Sequence, residues 1–263
     1  MDHLILKELY HDICFLTINR PEKRNALSPV LVERLRREID EISLNEQIRM
    51  LILTGSGNAF CAGADLAYLQ TISEFSEQEN EQDSRNLADL FYQIYRLPKI
   101  TIAMVNGPAL AGGCGLALCC DYIFASSEKA KLGFTEVRIG FIPAIVMNFL
   151  IRRISLSRAL HLAISGEILS AQAAHKIGLI YGVLADENLR KGTLDFAENL
   201  LEQNSFTAMI QTKELFQQLT ERQIEDGLEL ASKVNAKSRR TADCQKGLKL
   251  FLSKQQQKWR DSI

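Results

Sequence analysis

Glu136 is the residue whose surroundings in the sequence first suggest proton chemistry. It stands in the segment LGFTEVRIGFIPA (132–144), among Leu132, Phe134, Val137, Ile139 and Phe141. A carboxyl group held in a partly apolar pocket has its pKa raised by desolvation, which suits it to acid–base work near neutral pH. A strand over this segment would put Glu136 on one face with Phe134 and Arg138. The competing reading is a surface carboxylate paired with Arg138. Two glycine-bearing loops are the other candidates, TGSGNAFCAGADL (54–66) and NGPALAGGCG (106–115). Gly112 and Gly113 fall where a strand gives way to a helix, so their backbone N–H groups can face a ligand. Gly115 lies inside that helix, where glycine costs about 1 kcal/mol against alanine, and it needs a reason of its own. Neither loop matches GxGxxG or GxxxxGK[ST], and no GxSxG is present. His3, His11, His161 and His175 show no HExxH spacing, so no metal site is expected.

The elements that must carry these residues read as α/β. CFLTINRP (14–21) and MLILTGSG (50–57) are short strands ending in turn residues. Between them Ser28 caps a helix with Pro29 at its first position, and Val30, Leu31, Leu35, Ile39 and Ile42 form its apolar face. A strand, a long helix and a strand suggest a parallel pair with a crossover. A helix over 84–96 leading into KITIAMVNG (99–107), a continuous apolar run typical of a strand buried on both faces, repeats the unit. The acidic stretch SEFSEQENEQDS (73–84) reads as a mobile surface segment, or alternatively as a solvated helix start. Helices over 188–203, 206–219, 221–236 and 242–259 follow. The expected organisation is an α/β core over residues 1–195 and a helical region over 196–263. Ligands of open α/β sheets collect at the carboxyl ends of parallel strands, where both glycine loops lie.

Composition narrows the classes of function. The 263 residues are 46% hydrophobic and 24% charged, with a net charge of −1. That balance shows no basic excess for nucleic acid. There is no run of about 18 apolar residues to span a membrane. The N-terminus lacks the basic and apolar regions of a secretory signal, so the expected location is cytoplasmic. Cys14, Cys61, Cys114, Cys119, Cys120 and Cys244 form no CxxC pair and read as buried reduced thiols.

Taken together, INRPEKRNALS, FCAGADL, NGPALAGGCGLALCCD, GFTEVRIGFIPA, SAQAAHKIGLIYGVL and GLKLFLSKQQQKW resemble the crotonase (enoyl-CoA hydratase/isomerase) superfamily over nearly the whole chain. The resemblance implies a spiral of ββα units followed by C-terminal helices at subunit contacts. It implies a homo-oligomer, either a trimer or a dimer of trimers. It implies an acyl-CoA thioester substrate, with CoA as part of the substrate and no further cofactor. By match to the motifs, the N–H groups of Ala64 and Gly112 would hold the thioester oxygen as an oxyanion hole, and Glu136 would be the acid–base residue. Such donors bind an enolate-like oxygen best in the transition state. Ala62, Ala64, Asp65 and Leu66 match the stretch lining the adenine and pantetheine arm, with Gly113 beside it. Lys23 or Arg24 and, for a neighbouring subunit's site, Lys254 would contact phosphates.

One departure bears on mechanism. Members with two catalytic glutamates carry the first at the position of Gly115 and the second at that of Glu136. A single carboxylate fits isomerisation of a 3-enoyl thioester, and hydration remains open to it. The combination GCGLALCCD with TEVRIGFIPAIV looks most like the methylglutaconyl-CoA hydratase branch, with leucine- and isoprenoid-degradation enzymes. That favours a hydro-lyase on a branched or carboxylated 2-enoyl-CoA. The alternatives are a Δ3,Δ2-enoyl-CoA isomerase and a non-catalytic acyl-CoA binding protein; decarboxylation also fits the fold. On this reading Gly115 makes room for a larger acyl group, Tyr68 and Leu69 help shape its pocket, and Arg138 is a candidate partner for a substrate carboxylate.

Overall fold

The computed structural model describes residues 4–255. The chain opens with a hairpin, β1 (Ile5–Tyr10) and β2 (Ile13–Ile18), and then winds through α1 (Pro29–Leu44), β3 (Met50–Gly55), α2 (Leu66–Ile72), α3 (Glu77–Arg96) and β4 (Ile100–Val105). Next come β5 (Ala109–Leu110), α4 (Gly112–Leu118), β6 (Tyr122–Ser126), β7 (Lys131–Gly133), α5 (Ala144–Leu150), α6 (Leu156–Ser165), β8 (Ile168–Ser170), α7 (Ala171–Lys176) and β9 (Gly182–Leu184). Three helices close it: α8 (Leu189–Gln203), α9 (Phe206–Arg239) and α10 (Ala242–Leu252).

The main sheet runs β1-β2-β3-β4-β6-β9, parallel throughout except for the β1–β2 hairpin. A smaller sheet, β5-β7-β8, forms a second layer. Single bridges extend that layer into the earlier turns of the chain, pairing Leu27 with Ala64 and Cys61 with Ala109. Each turn thus contributes a long strand, a short extended piece and a helix, which is the ββα spiral of the crotonase fold. The continuous apolar runs are explained by burial on both faces. Cys14, Leu16, Leu51, Leu53 and Ala103 face the core shared with α1, α3 and α4. Ile13, Phe15, Met50, Ile52 and Ile102 face a second cluster covered by α8 and the start of α9.

Several expectations need correction. Residues 77–84 are the first turns of α3, so the helix start offered as the alternative holds there and the mobile segment does not. Ser76 and Glu79 make a reciprocal capping box, with Ser76 N–H donating to Glu79 Oε2 at 2.7 Å, and Asn80 and Ser84 are buried. The acidic residues occupy the outer face of a helix whose inner face is packed. The expected helices 206–219 and 221–236 are one helix, α9, because nothing between Leu219 and Glu221 breaks it. Position 195 falls inside α8, whose Leu189 and Ala197 both pack on the sheet. The part of the last expected helix beyond residue 255 lies outside the described residues. All six cysteines are buried and free. Among the described residues no helix is long and apolar enough to cross a membrane.

Gly115 has a packing reason. A Cβ added there would lie 2.2 Å from Val146 Cγ1 and 2.7 Å from Phe91 Cε2. The volume beside this glycine is filled by α5 and α3, so Gly115 makes room for protein and not for an acyl group. Gly115→Ala should overpack this contact and lower stability by about 1–3 kcal/mol, as read by urea unfolding. Gly115→Glu should reduce stability further instead of narrowing the acyl range.

Candidate active site

The loops after β2, β3 and β4 meet at the carboxyl ends of these strands, and a cavity of about 1480 Å³ opens there. Its walls include Lys23 and Arg24 from the first loop, Ala62, Ala64 and Asp65 from the second, and Gly112 from the third. Glu136 joins them from the segment after β7, and α9 and α10 close the far side with Arg239 and Phe251.

Backbone pairing sets the direction of the Ala64 amide. Leu27 N–H donates to Gly63 O at 2.7 Å, and Asp65 N–H donates to Leu27 O at 2.8 Å. Leu27 thus bonds the two residues flanking Ala64, and in such a parallel bridge Ala64 presents its own N–H and C=O to the opposite side. Side chains lock this arrangement. Arg20 donates through Nη2 to Asp65 Oδ2 at 2.8 Å and through Nη1 to Ala26 O at 2.7 Å. Asn25, fully buried in a left-handed conformation (φ 57°), donates to Ser56 O and Ala59 O and accepts from Arg20 N–H. Burial acts to raise the Asp65 pKa, but the Arg20 guanidinium and the Ala67 N–H hold it below the ordinary value.

Asp65 caps α2 and clamps two loops. It lines the cavity, while its carboxylate is committed to Arg20 and the start of α2.

Gly112 begins α4, so its N–H has no acceptor within the helix. The turn before it is strained: Ala111 holds φ 50° and ψ −126°, fixed by its N–H donating to Gly133 O at 2.8 Å. The two glycine loops touch, since a Cβ built on Gly63 would lie 3.8 Å from Gly112 N. Two outward-facing amides, those of Ala64 and Gly112, therefore occupy adjacent loops of one cavity wall.

Gly113 and Gly115 are not in that wall. A Cβ on Gly113 would lie 2.1 Å from Cys61 O, so this glycine lets α4 abut the preceding loop. Leu66 begins α2 immediately after Asp65. Lys23 and Arg24 are exposed at the cavity rim. Lys254 is exposed in the turn after α10, beside the lining residue Gln255.

Glu136 does not lie in a strand. β7 ends at Gly133, and residues Thr135–Ile139 form a 3₁₀ helix stopped by Gly140 in the left-handed conformation (φ 78°). At three residues per turn Glu136 aligns with Ile139, not with Phe134 and Arg138. Arg138 is exposed and makes no ion pair with Glu136. Glu136 Oε2 is buried without a hydrogen-bond partner. Burial pushes the carboxyl up to about 7, opposed only by its own backbone N–H. The other carboxylates deep in this cavity, Asp65 and Asp83, are held by Arg20 and Arg239. Among the described residues no group of three or more His, Cys, Asp or Glu gathers as a metal site.

The sequence pattern of the enoyl-CoA hydratase/isomerase family matches residues 8–262. The chain belongs to this family. A Thermus thermophilus protein whose name provisionally assigns it as an enoyl-CoA hydratase is 38% identical, over 92% of this chain and 95% of its own. The 2,3-dehydroadipyl-CoA hydratase of Escherichia coli is 32% identical over 92% of each chain. The crystal structure of an enoyl-CoA hydratase from Mycobacterium avium superposes with a TM-score of 0.85 at 28% identity, covering 98% of this chain and 100% of that one.

Beside Gly115 the space is occupied by Val146, itself a cavity-lining residue. Sequence reasoning missed Arg20, Asn25, Asp83 and Arg239. Arg20 and Asn25 were within reach, because both sit in INRPEKRNALS and asparagine is favoured in the left-handed turn found there. Asp83 and Arg239 lie on separate helices and carry no local signal.

Glu136 also makes a stability prediction. Between the ordinary carboxyl value of 4.5 and about 7, the folded chain retains a proton that the unfolded chain releases. Stability therefore falls as pH rises through this window. Glu136→Gln should remove that fall. The variant should match the parent at pH 4.5 and exceed it by up to about 3 kcal/mol above pH 7, as measured by denaturant unfolding across pH.

Proposed function

We propose that this chain is a hydro-lyase that adds water across the double bond of a branched or carboxylated 2-enoyl-CoA, such as 3-methylglutaconyl-CoA. The observation carrying this reading is a single buried, unpartnered carboxyl in a cavity whose wall also presents the amides of Ala64 and Gly112. The ionised Glu136 takes a proton from water as the water oxygen bonds to C3. The C2–C3 π electrons move toward the thioester, whose oxygen becomes an enolate oxygen held by the two amides. Glu136 then returns the proton to C2, so one group serves as base and acid and the balance is one water added. The charge develops where preorganised donors stabilise it most, and removing one such donor costs about 3–4 kcal/mol where this has been tested in other enzymes.

The exposed Lys23 and Arg24 at the rim fit the phosphates of CoA, with Lys254 available to a neighbouring subunit's site. The chemistry as written requires nothing beyond the thioester and water. The carboxylated class is supported by the name of the Escherichia coli relative, whose substrate is a carboxylated enoyl-CoA. Six free cysteines suit a reducing, cytoplasmic compartment.

Isomerisation is the second reading, favoured by Glu136 being the one unengaged buried carboxyl in the cavity among the described residues. The same group would move a proton from C4 of a 3-enoyl thioester to C2. Purified protein and Glu136→Gln, offered 3-methylglutaconyl-CoA, crotonyl-CoA and 3-hexenoyl-CoA, separate the readings by product mass. Hydration of the first, reduced about 10³-fold or more in the variant, is the expected result. Its kcat/KM should fall below an apparent pKa near 7 as the base is protonated. Isomerised 3-hexenoyl-CoA without hydration would make it an isomerase, and binding without turnover a non-catalytic binder.

We further propose assembly as a homotrimer or dimer of trimers. Leu215, Phe216 and Leu219 on α9 are exposed, as are Leu156, Leu160 and Ile164 along one side of α6. Leu219→Asp should give a lighter species in sedimentation. An unchanged mass would move the contact away from this part of α9.

A further inference from the structure

The cavity has a second polar end, built on α2, α3 and α9. Arg239, the last residue of α9, is buried at 8% exposure and lines the cavity. Its Nη1 donates to Asp83 Oδ2 at 2.8 Å and to Asn80 Oδ1 at 3.1 Å. Asp83 does not offer its second oxygen to the guanidinium, because Oδ1 accepts the hydroxyl of Tyr68. The consequence falls on the other edge of Arg239. Its Nε is buried without an acceptor, and its Nη2 donates to no group among the described residues. One helical turn earlier Asn235, also buried and lining the cavity, donates to Ser84 Oγ at 3.0 Å and leaves Oδ1 without a partner. The neighbouring wall is apolar: the Arg239 Cζ lies 5.9 Å from the Phe141 ring centre, and Leu69 and Ile72 are packed with Phe141.

A guanidinium that served only to tie α9 to α3 would be expected to spend its fork on Asp83. Here Tyr68 bonds the other oxygen of that carboxylate, and the parallel Nε and Nη2 groups have no acceptor among the described residues, on a side chain that lines the cavity. Leaving a buried donor unpaired costs about 1–3 kcal/mol, and two parallel N–H groups are the geometry that receives both oxygens of a carboxylate. Arg138, a candidate partner on the sequence, also lines the cavity but is exposed, whereas Arg239 is buried.

We propose that the Nε–Nη2 edge of Arg239 receives the distal carboxylate of a dicarboxylic acyl-CoA, with Tyr68 and Asp83 as positioning residues that keep this edge free. The proposal rests on the reading of the cavity as the acyl-CoA site. It adds to that reading the residue that selects the substrate class. An acyl chain ending in a methyl group leaves the donors unpaired and is disfavoured for that reason.

Binding of non-reacting thioesters tests this independently of turnover. By titration calorimetry the parent should bind glutaryl-CoA or adipyl-CoA about 100-fold more tightly than butyryl-CoA or hexanoyl-CoA. Arg239→Met/Asp83→Asn removes the guanidinium without leaving Asp83 charged and unpaired, and it should abolish the preference. Tyr68→Phe frees Asp83 Oδ1 to take the Nε edge. It should weaken dicarboxylic thioesters selectively, whereas a merely structural tyrosine would weaken both series alike. A parent without the preference, or a preference surviving in the double variant, overturns the assignment. Loss of hydration with the preference intact would overturn the hydratase reading alone, and failure to bind any CoA thioester would overturn both.

Discussion

Two backbone amides kept free of protein acceptors, at Ala64 and Gly112, are the constraint on which the arrangement of this chain depends. Buried amides ordinarily find partners, so each must be held by bonds made through its neighbours. At Ala64 the bonds run from Leu27 to Gly63 and Asp65, with Arg20 and Asn25 fastening the same loops from the side. At Gly112 the work is done by Ala111, whose left-handed backbone is pinned by Gly133 and then covered by α4. Through its carboxylate Asp65 belongs to this frame while it also lines the cavity, and Gly113 is the close approach that lets the two loops meet.

The same frame fixes the chemistry of Glu136. A short 3₁₀ turn after β7 carries it into the cavity wall, where desolvation raises its carboxyl to about 7 without a charged neighbour to offset it. A second carboxylate at position 115 would share this region and shift both titrations. Here Val146 and Phe91 fill the space instead. α9 links the sheet to the cavity: its start covers the sheet, and its last turn brings Arg239 against Asp83 and Asn80.

How much of this was legible before folding differs from residue to residue. The apolar runs of β2, β3 and β4 and the Ser28–Pro29 start of α1 are local signals, and each became the expected element. The capping box at Ser76 was equally local, but the density of charge around it favoured a mobile surface segment over the alternative of a helix start. The 3₁₀ turn at Glu136 was hidden because alternating apolar residues suit a strand just as well, and the left-handed Gly140 decides between them.

The sequence by itself determined the family, the strands β2, β3 and β4 and the helix α1, and it singled out Glu136 as a candidate acid–base residue, because motif order and hydrophobic period are properties of neighbours along the chain. Tertiary structure alone decided which polar groups are committed and which are free. Asp65 and Asp83 each have a guanidinium beside them, where Glu136 has none, and those guanidinium groups come from residues 45 and 156 positions away. The role of Gly115 was decided in the same way, by side chains of α3 and α5 that fill the space a Cβ would need. Burial and pairing are set by contacts between distant segments, and no local pattern encodes them.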